Sequence, residues 1–243
     1  MKKRLRIIVP AVLLLGAAAW WFFGRGGAFL YSGTVEATEI DLSARLSAVI
    51  NAYGAEEGDV IKVNQTLVRL DCDDFRLAAD IARKDFLRAQ ELFKTGSVSQ
   101  ENYDRLKYKK DDTELKVSWC TVRSPINGRM LYKYREAGEM VAPGTKLATV
   151  ADLSSVYAYF YVPQPLLAKI SLGQDIRAFL PEAGMKEFTG RVEHINDEAE
   201  FTPRNVQTRD ERTRLVYGIK VRFSNAAGQL KPGMTLEAEF PSK

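Results

Sequence analysis

A fourteen-residue pattern occurs twice, 80 residues apart, and constrains the fold more than any other feature of the chain. Glu57-Gly58-Asp59-Val60-Ile61-Lys62-Val63-Asn64-Gln65-Thr66-Leu67-Val68-Arg69-Leu70 is matched without a gap by Ala137-Gly138-Glu139-Met140-Val141-Ala142-Pro143-Gly144-Thr145-Lys146-Leu147-Ala148-Thr149-Val150. Each copy reads as strand, turn, strand, with Asn64 and Gly144 where a turn needs positive φ. Neither copy buries its apolar face alone, so the two are expected to interlock as one small sandwich. The competing reading is two unrelated hairpins that share common turn chemistry.

Composition changes abruptly between the copies. Residues 73–118 hold no proline, one glycine (Gly96) and 20 charged residues of 46, which suits a solvated helical arm. Phe75, Ala78, Ala82, Phe86, Ala89 and Phe93 recur at intervals near three and four, the mark of an amphipathic helix. Thr95-Gly96-Ser97 breaks it, and Ser99 is placed to cap a second helix. The apolar line of that helix is less regular: Tyr103, Leu106, Thr113 and Val117, interrupted at Lys109-Lys110-Asp111-Asp112. Two helices joined by a short turn make an antiparallel hairpin with arms of roughly 30 Å. Cys72 and Cys120 each lie 24 residues from Gly96, at the two feet of that hairpin. They are a candidate disulfide if the compartment is oxidising, and two buried thiols otherwise.

Beyond Asp152 the pattern turns to strands: Val156 to Val162, Ile176 to Leu180, Phe188 to Ile195, Val216 to Phe223 and Met234 to Phe240. Turn signals separate them, including Asn225-Ala226-Ala227-Gly228 and Pro232-Gly233, which predicts a small antiparallel barrel. Pro165 to Ser171 reads as a short helix.

At the start of the chain, Lys2, Lys3, Arg4 and Arg6 precede the apolar run Ile7 to Phe23, which ends in four bulky aromatics, Trp20 to Phe23. The run is close to the ~20 residues that cross a bilayer as a helix, and the basic flank favours an N-inside orientation. A retained anchor is the expectation; a signal peptide cleaved after Ala17-Ala18-Ala19 is the alternative. Either way the remaining residues lie outside the cytoplasm. The net charge of +4 comes from this segment: its five cations, Arg25 included, leave −1 on residues 28–243. A body that is neutral offers no nucleic-acid footprint. One histidine and two cysteines leave too few ligands for zinc and few catalytic bases. His194, between Val192 and Ile195 in a strand, reads as structural.

This order resembles the HlyD-type membrane fusion proteins, the periplasmic adaptor subunits of bacterial efflux and secretion systems. The repeated copies look like the two halves of a split lipoyl-like domain. Thr121-Val122-Arg123-Ser124-Pro125-Ile126-Asn127-Gly128 looks like the re-entry into its second half, and Leu230-Lys231-Pro232-Gly233-Met234 like the barrel-closing motif. Phe201 to Arg212 is similar to members that work with ABC transporters. The resemblance implies a mainly β chain with an α-helical hairpin. Its modules would be a membrane anchor (1–27), a leading strand with the first lipoyl-like half (28–72), the hairpin (73–118), the second half (119–152) and the β-barrel (153–243).

The resemblance also implies partners and residues. Arg88, Leu92 and Ser99 fit the spacing with which adaptors dock on TolC-type outer-membrane channels: an arginine fork, an apolar knob and a cap at the turn. An inner-membrane transporter, ABC-type, would be the second partner. Six copies would form a ring, anchored in the bacterial inner membrane with the body in the periplasm. No cofactor, metal or catalysis is implied. The hairpin is short for the family, and a module usually completed beyond the barrel is not seen, so the chain reads as a reduced member. Two alternatives compete with channel docking. One is an envelope scaffold that never touches the channel. The other is a lipoyl or biotinyl carrier subunit, which would need a lysine at a turn; Lys62 and Lys146 lie in the wrong frame.

Overall fold

A computed structural model describes residues 29–201 and 215–241. The described residues fall into two compact units. One takes them from 1–35, 157–223 and 233–243; the other comprises 36–156 and 224–232.

The second unit holds a sandwich of two four-stranded sheets. Its strands are β2 (Glu39–Ser43), β3 (Ala48–Tyr53), β4 (Val60–Ile61), β5 (Thr66–Leu70), β6 (Thr121–Arg123), β7 (Gly128–Lys133), β8 (Met140–Val141) and β9 (Lys146–Ala151). The sheet orders are β2-β9-β7-β4 and β6-β5-β3-β8. Shifting residue numbers by 80 converts one order into the other. The backbone bonds obey the same shift. Ile50 N–H donates to Glu139 O and Gly138 N–H to Ile50 O, as Met130 does to Asp59 and Gly58 to Met130. Gly54 N–H donates to Leu67 O, as Tyr134 N–H does to Leu147 O. Asn64 and Gly144 turn the two hairpins with φ of 65° and 87°. The repeat thus extends back to Ala44 and Ser124, far beyond its matching letters. Leu67, Leu147, Ile50 and Met130 lie fully buried between the sheets, as a core filled from both halves requires.

The hairpin leaves the sandwich between β5 and β6 as α1 (Asp73–Lys94) and α2 (Gln100–Ser118). After β9 the other unit begins along β10 (Ser155–Pro163). Its remaining strands are β1 (Leu30–Glu36), β11 (Asp175–Leu180), β12 (Lys186–Ile195), β13 (Glu200–Phe201), β14 (Leu215–Ser224) and β15 (Thr235–Glu239). The order β10-β1-β15-β11-β12-β14 closes through a β10–β14 pairing, which makes a six-stranded barrel with β13 added beside β14. Strict alternation on β10 sends Val156, Ala158, Phe160 and Val162 inward. Phe160 meets Phe223 and Phe240 edge-on in the core, at 6.4 and 5.8 Å between centroids. The chain is mainly β, with a barrel and a helical hairpin.

Three expectations need correction. The leading strand, expected with the first half-motif, belongs to the barrel: β1 pairs with β15 from Leu30↔Glu239 to Thr34↔Thr235. Gly33 permits the approach of β10 on the other side of β1, because a Cβ there would sit 2.6 Å from the Tyr159 carbonyl oxygen. Residues 224–232, expected within the barrel, group with the sandwich unit. There the Asn225 amide donates to Leu153 O and Leu230 O and accepts from Leu230 N–H. The short helix expected over Pro165–Ser171 is a single turn, Gln164–Leu167. The apolar N-terminal run and residues 202–212 lie outside the described residues. Among the described residues no helix is long and apolar enough to cross a membrane.

Candidate functional site

The hairpin is built by a seam in which spacings of four and three alternate on both helices. On α1 the seam is Phe75, Ala79, Ala82, Phe86, Ala89 and Phe93; on α2 it is Tyr103, Leu106, Lys110, Thr113 and Val117. Ala79, not Ala78, is the buried position, because the seam follows a 3.5-residue period rather than 3.6. The small side chains of Ala79, Ala82 and Ala89 allow close approach. Lys110, which interrupts the apolar line in sequence, stays in the seam by placing its Nζ 5.4 Å from the Phe86 ring centroid. It also pairs with Asp111 and Glu114, which raise its pKa, and Glu114 in turn reaches across to Arg83 at 3.0 Å.

At the tip, Phe93 stacks on Tyr103 with centroids 4.8 Å apart. Thr95 Oγ1 and Ser97 N–H both donate to Leu92 O at 2.8 Å, and Gly96 turns the chain at φ 71°. Ser99 Oγ accepts from Asn102 N–H at 3.3 Å as the cap of α2. Arg88 and Leu92 sit one turn apart on one helix face. The Arg88 side chain is 75% exposed and among the described residues pairs only with Asp85, one turn before it; Leu92 is 47% exposed. Both therefore face solvent together, while Ser99 is committed to the cap.

At the base, the structure brings Cys72 and Cys120 together as a disulfide with Cα atoms 6.1 Å apart. Phe75 and Trp119 pack beside it against the sandwich core. The hairpin is thereby footed on the sandwich rather than hung from a loop.

Neither lysine near a repeat turn is placed for carrier chemistry. The turn apices are Val63-Asn64 and Pro143-Gly144. Lys146 instead pairs with Asp41 at 2.5 Å, and that bond, with Thr149 Oγ1 donating to Asp41, holds the Asp41 carboxyl below its usual range. His194 lies exposed on β12. A bulge between Val192 and His194 turns both Glu193 and His194 outward. Glu193 is then engaged by Arg222 and Lys220, Arg222 doing most to lower its pKa.

Comparisons with known proteins show what the chain is similar to. Residues 155–243 match the CusB-like β-barrel domain. A UPF0194 membrane protein of Enterobacter sp. (strain 638) is 26% identical over 199 residues, covering 78% of this chain; the chain spans 60% of that relative's length. UPF0194 membrane protein YbhG of Salmonella gallinarum is 22% identical, and the alignment covers 99% of this chain and 98% of the relative. That alignment runs over 325 positions, 82 more than the 243 residues of this chain, so the relative carries stretches this chain does not. Among solved structures, a MacA–MexA chimera carrying the Pseudomonas aeruginosa MexA α-hairpin domain superposes with TM-score 0.72 at 17% identity, covering 87% of this chain and 80% of that one. The membrane fusion protein Spr0693 of Streptococcus pneumoniae R6 gives 0.65 at 18%, covering 89% and 100%. These structural likenesses are of fold. The chain is thus similar over its barrel to the CusB-like domain, over nearly its whole length to UPF0194 membrane proteins, and in fold to membrane fusion proteins.

Proposed function

We propose that the chain is an anchored adaptor that joins an inner-membrane transporter, of the ABC type, to a TolC-type outer-membrane channel for efflux or secretion. Residues 7–23 hold it in the inner membrane with its body in the periplasm. Six copies ring a central passage, and the hairpins project towards the channel. Substrate passes through without covalent handling. Hairpin contacts that fit the open channel better than the closed one draw it open.

One observation carries the docking role: Arg88 and Leu92 are exposed together on one face beside a capped turn. A guanidinium fork and an apolar knob one turn apart suit a partner helix that offers carboxylate or carbonyl oxygens beside an apolar groove. The disulfide and the Phe75–Trp119 footing support the same reading, since a docking arm must transmit force without splaying. The ABC assignment rests on the likeness of Phe201 to Arg212 alone.

Photo-crosslinking from position 92, in cells that make a TolC-type channel, tests the reading. A crosslink to the channel is expected, with loss of that crosslink in Arg88→Asp at unchanged thermal midpoint. Crosslinks only between copies of this chain would overturn channel docking in favour of the scaffold. The arm of 22 residues, about 33 Å at the helical rise, is the observation that favours that second reading.

A further inference from the structure

Three large apolar side chains stand exposed at one end of the barrel. The antiparallel registers bring the starts of β1, β11 and β14 to the same end as the finishes of β12 and β15. Phe29 precedes β1, Leu172 precedes β11 and Leu215 opens β14. They are 61%, 66% and 54% exposed, while Leu166 and Ile170 are buried. Met185, at the opposite end, lies in the turn between β11 and β12.

Phe29 is held rather than loose. Its ring packs edge-on to Tyr31 at 4.7 Å, Tyr31 to Phe240 at 5.7 Å, and Phe240 to Phe160 in the core at 5.8 Å. An aromatic column therefore runs from the barrel interior to a projecting ring. The nearby rim charges are largely self-neutralised: Arg177 pairs with Glu239 and Arg191 with Asp175. Asp197, Glu198 and Glu200 add acid at this end. Among the described residues this surface therefore offers apolar side chains for insertion more than it offers cations for anionic headgroups.

The length of chain before β1 says what lies opposite. Phe23, the last residue of the apolar run, is six residues before Phe29. Six residues reach at most ~20 Å fully extended. A headgroup layer takes up about 5–8 Å of that. If residues 7–23 cross the bilayer, the surface facing Phe29 is lipid.

We propose that this end of the barrel seats on the membrane that holds the anchor, with Phe29, Leu172 and Leu215 entering the headgroup layer. The inference rests on the anchor reading given above and adds a second point of membrane attachment. It makes the barrel a foot on the bilayer and fixes the height at which its wall meets a neighbouring transporter.

The test places a diazirine amino acid at position 172 of the full chain and, separately, at position 185. Each protein is reconstituted in phosphatidylcholine vesicles, irradiated and weighed intact. The expected result is a mass gain of one lipid from position 172 and none from 185, unchanged by high salt. A chain that stays with the vesicles in an alkaline wash yet gains no lipid at 172 overturns the seating and leaves the anchor standing. A chain released by the wash removes anchor and seating together. In cells, a crosslink from 172 to another protein in place of lipid overturns the seating in favour of transporter docking.

Discussion

Tyr53 and Lys133 occupy the same position in the two halves of the repeat, 80 residues apart, and meet: Lys133 Nζ lies 5.2 Å from the Tyr53 ring centroid. Lys133 also pairs with Glu56 at 3.1 Å and with Glu136 at 3.0 Å, two acids that are themselves repeat equivalents. One side chain thus ties both halves at the place where the internal symmetry brings them together, and both acids raise its pKa.

This junction gives the sandwich an alkaline limit. Burial pushes the Tyr53 phenol up to about 12, and its hydroxyl donates to Leu147 O. The unfolded phenol titrates near 10, so the contribution of Tyr53 is complete below pH 10 and is lost as pH rises towards 12. Stability should fall across that window more steeply in the parent than in Tyr53→Phe, with urea midpoints at pH 9 and pH 11 as the measurement. Parallel falls would mean that Tyr53 ionises as freely folded as unfolded.

The Cys72–Cys120 bond closes a loop of 48 residues. Chain-entropy arithmetic for such a loop gives about 4 kcal/mol of stabilisation. The double variant Cys72→Ser, Cys120→Ser should lose about that much in urea unfolding. It should also be indifferent to dithiothreitol, whereas the parent shifts. A parent whose midpoint ignores reductant would mean that the thiols are not joined.

Ser99 separates capping from docking. Its oxygen is occupied by Asn102 N–H, so Ser99→Ala should cost about 1 kcal/mol. Ser99→Asp should restore that stability, because a carboxylate caps and favours the helix N-terminus. If Ser99→Asp also keeps the position 92 crosslink, the serine serves the channel only through the shape of the tip.

Two glycines should fail for different reasons. A Cβ on Gly128 would meet the Ala151 carbonyl oxygen at 2.2 Å, where β7 and β9 run together. Gly128→Ala should cost at least about 1–3 kcal/mol, the range for overpacking. A Cβ on Gly58 meets nothing, but its φ is 89°, so Gly58→Ala should cost only about 1–2 kcal/mol of backbone strain. Chemical denaturation of the pair measures the difference. Equal losses would remove the close approach as the reason for Gly128.

Much of the fold was legible where function of position survives in the letters. Gly58 and Gly138, Asn64 and Gly144, Leu67 and Leu147 are turn and core sites that admit few residues, so the repeat shows there. It was invisible upstream, where Ala48–Tyr53 and Gly128–Lys133 share backbone bonds but hardly a residue type. β1 was misplaced because alternation announces a strand without saying which sheet accepts it. The seam through Ala79 and Lys110 was obscured for other reasons. Two adjacent alanines look alike to a periodicity count, and a lysine lying against a ring counts as polar. Of the tip, the sequence could name the cap at Ser99; the exposure of Arg88 and Leu92 needed the packing of α1 against α2. The bulge that turns His194 outward leaves no mark in residue type.

Every feature that obeys the 80-residue shift lies outside Cys72–Cys120. The inserted arm is therefore a cassette plugged into a port only 6.1 Å wide. Its length is free to drift while the port stays fixed, because each heptad added to both helices keeps the seam in phase and lengthens the reach by about 10 Å. How far the arm reaches is then set separately from the body that holds it.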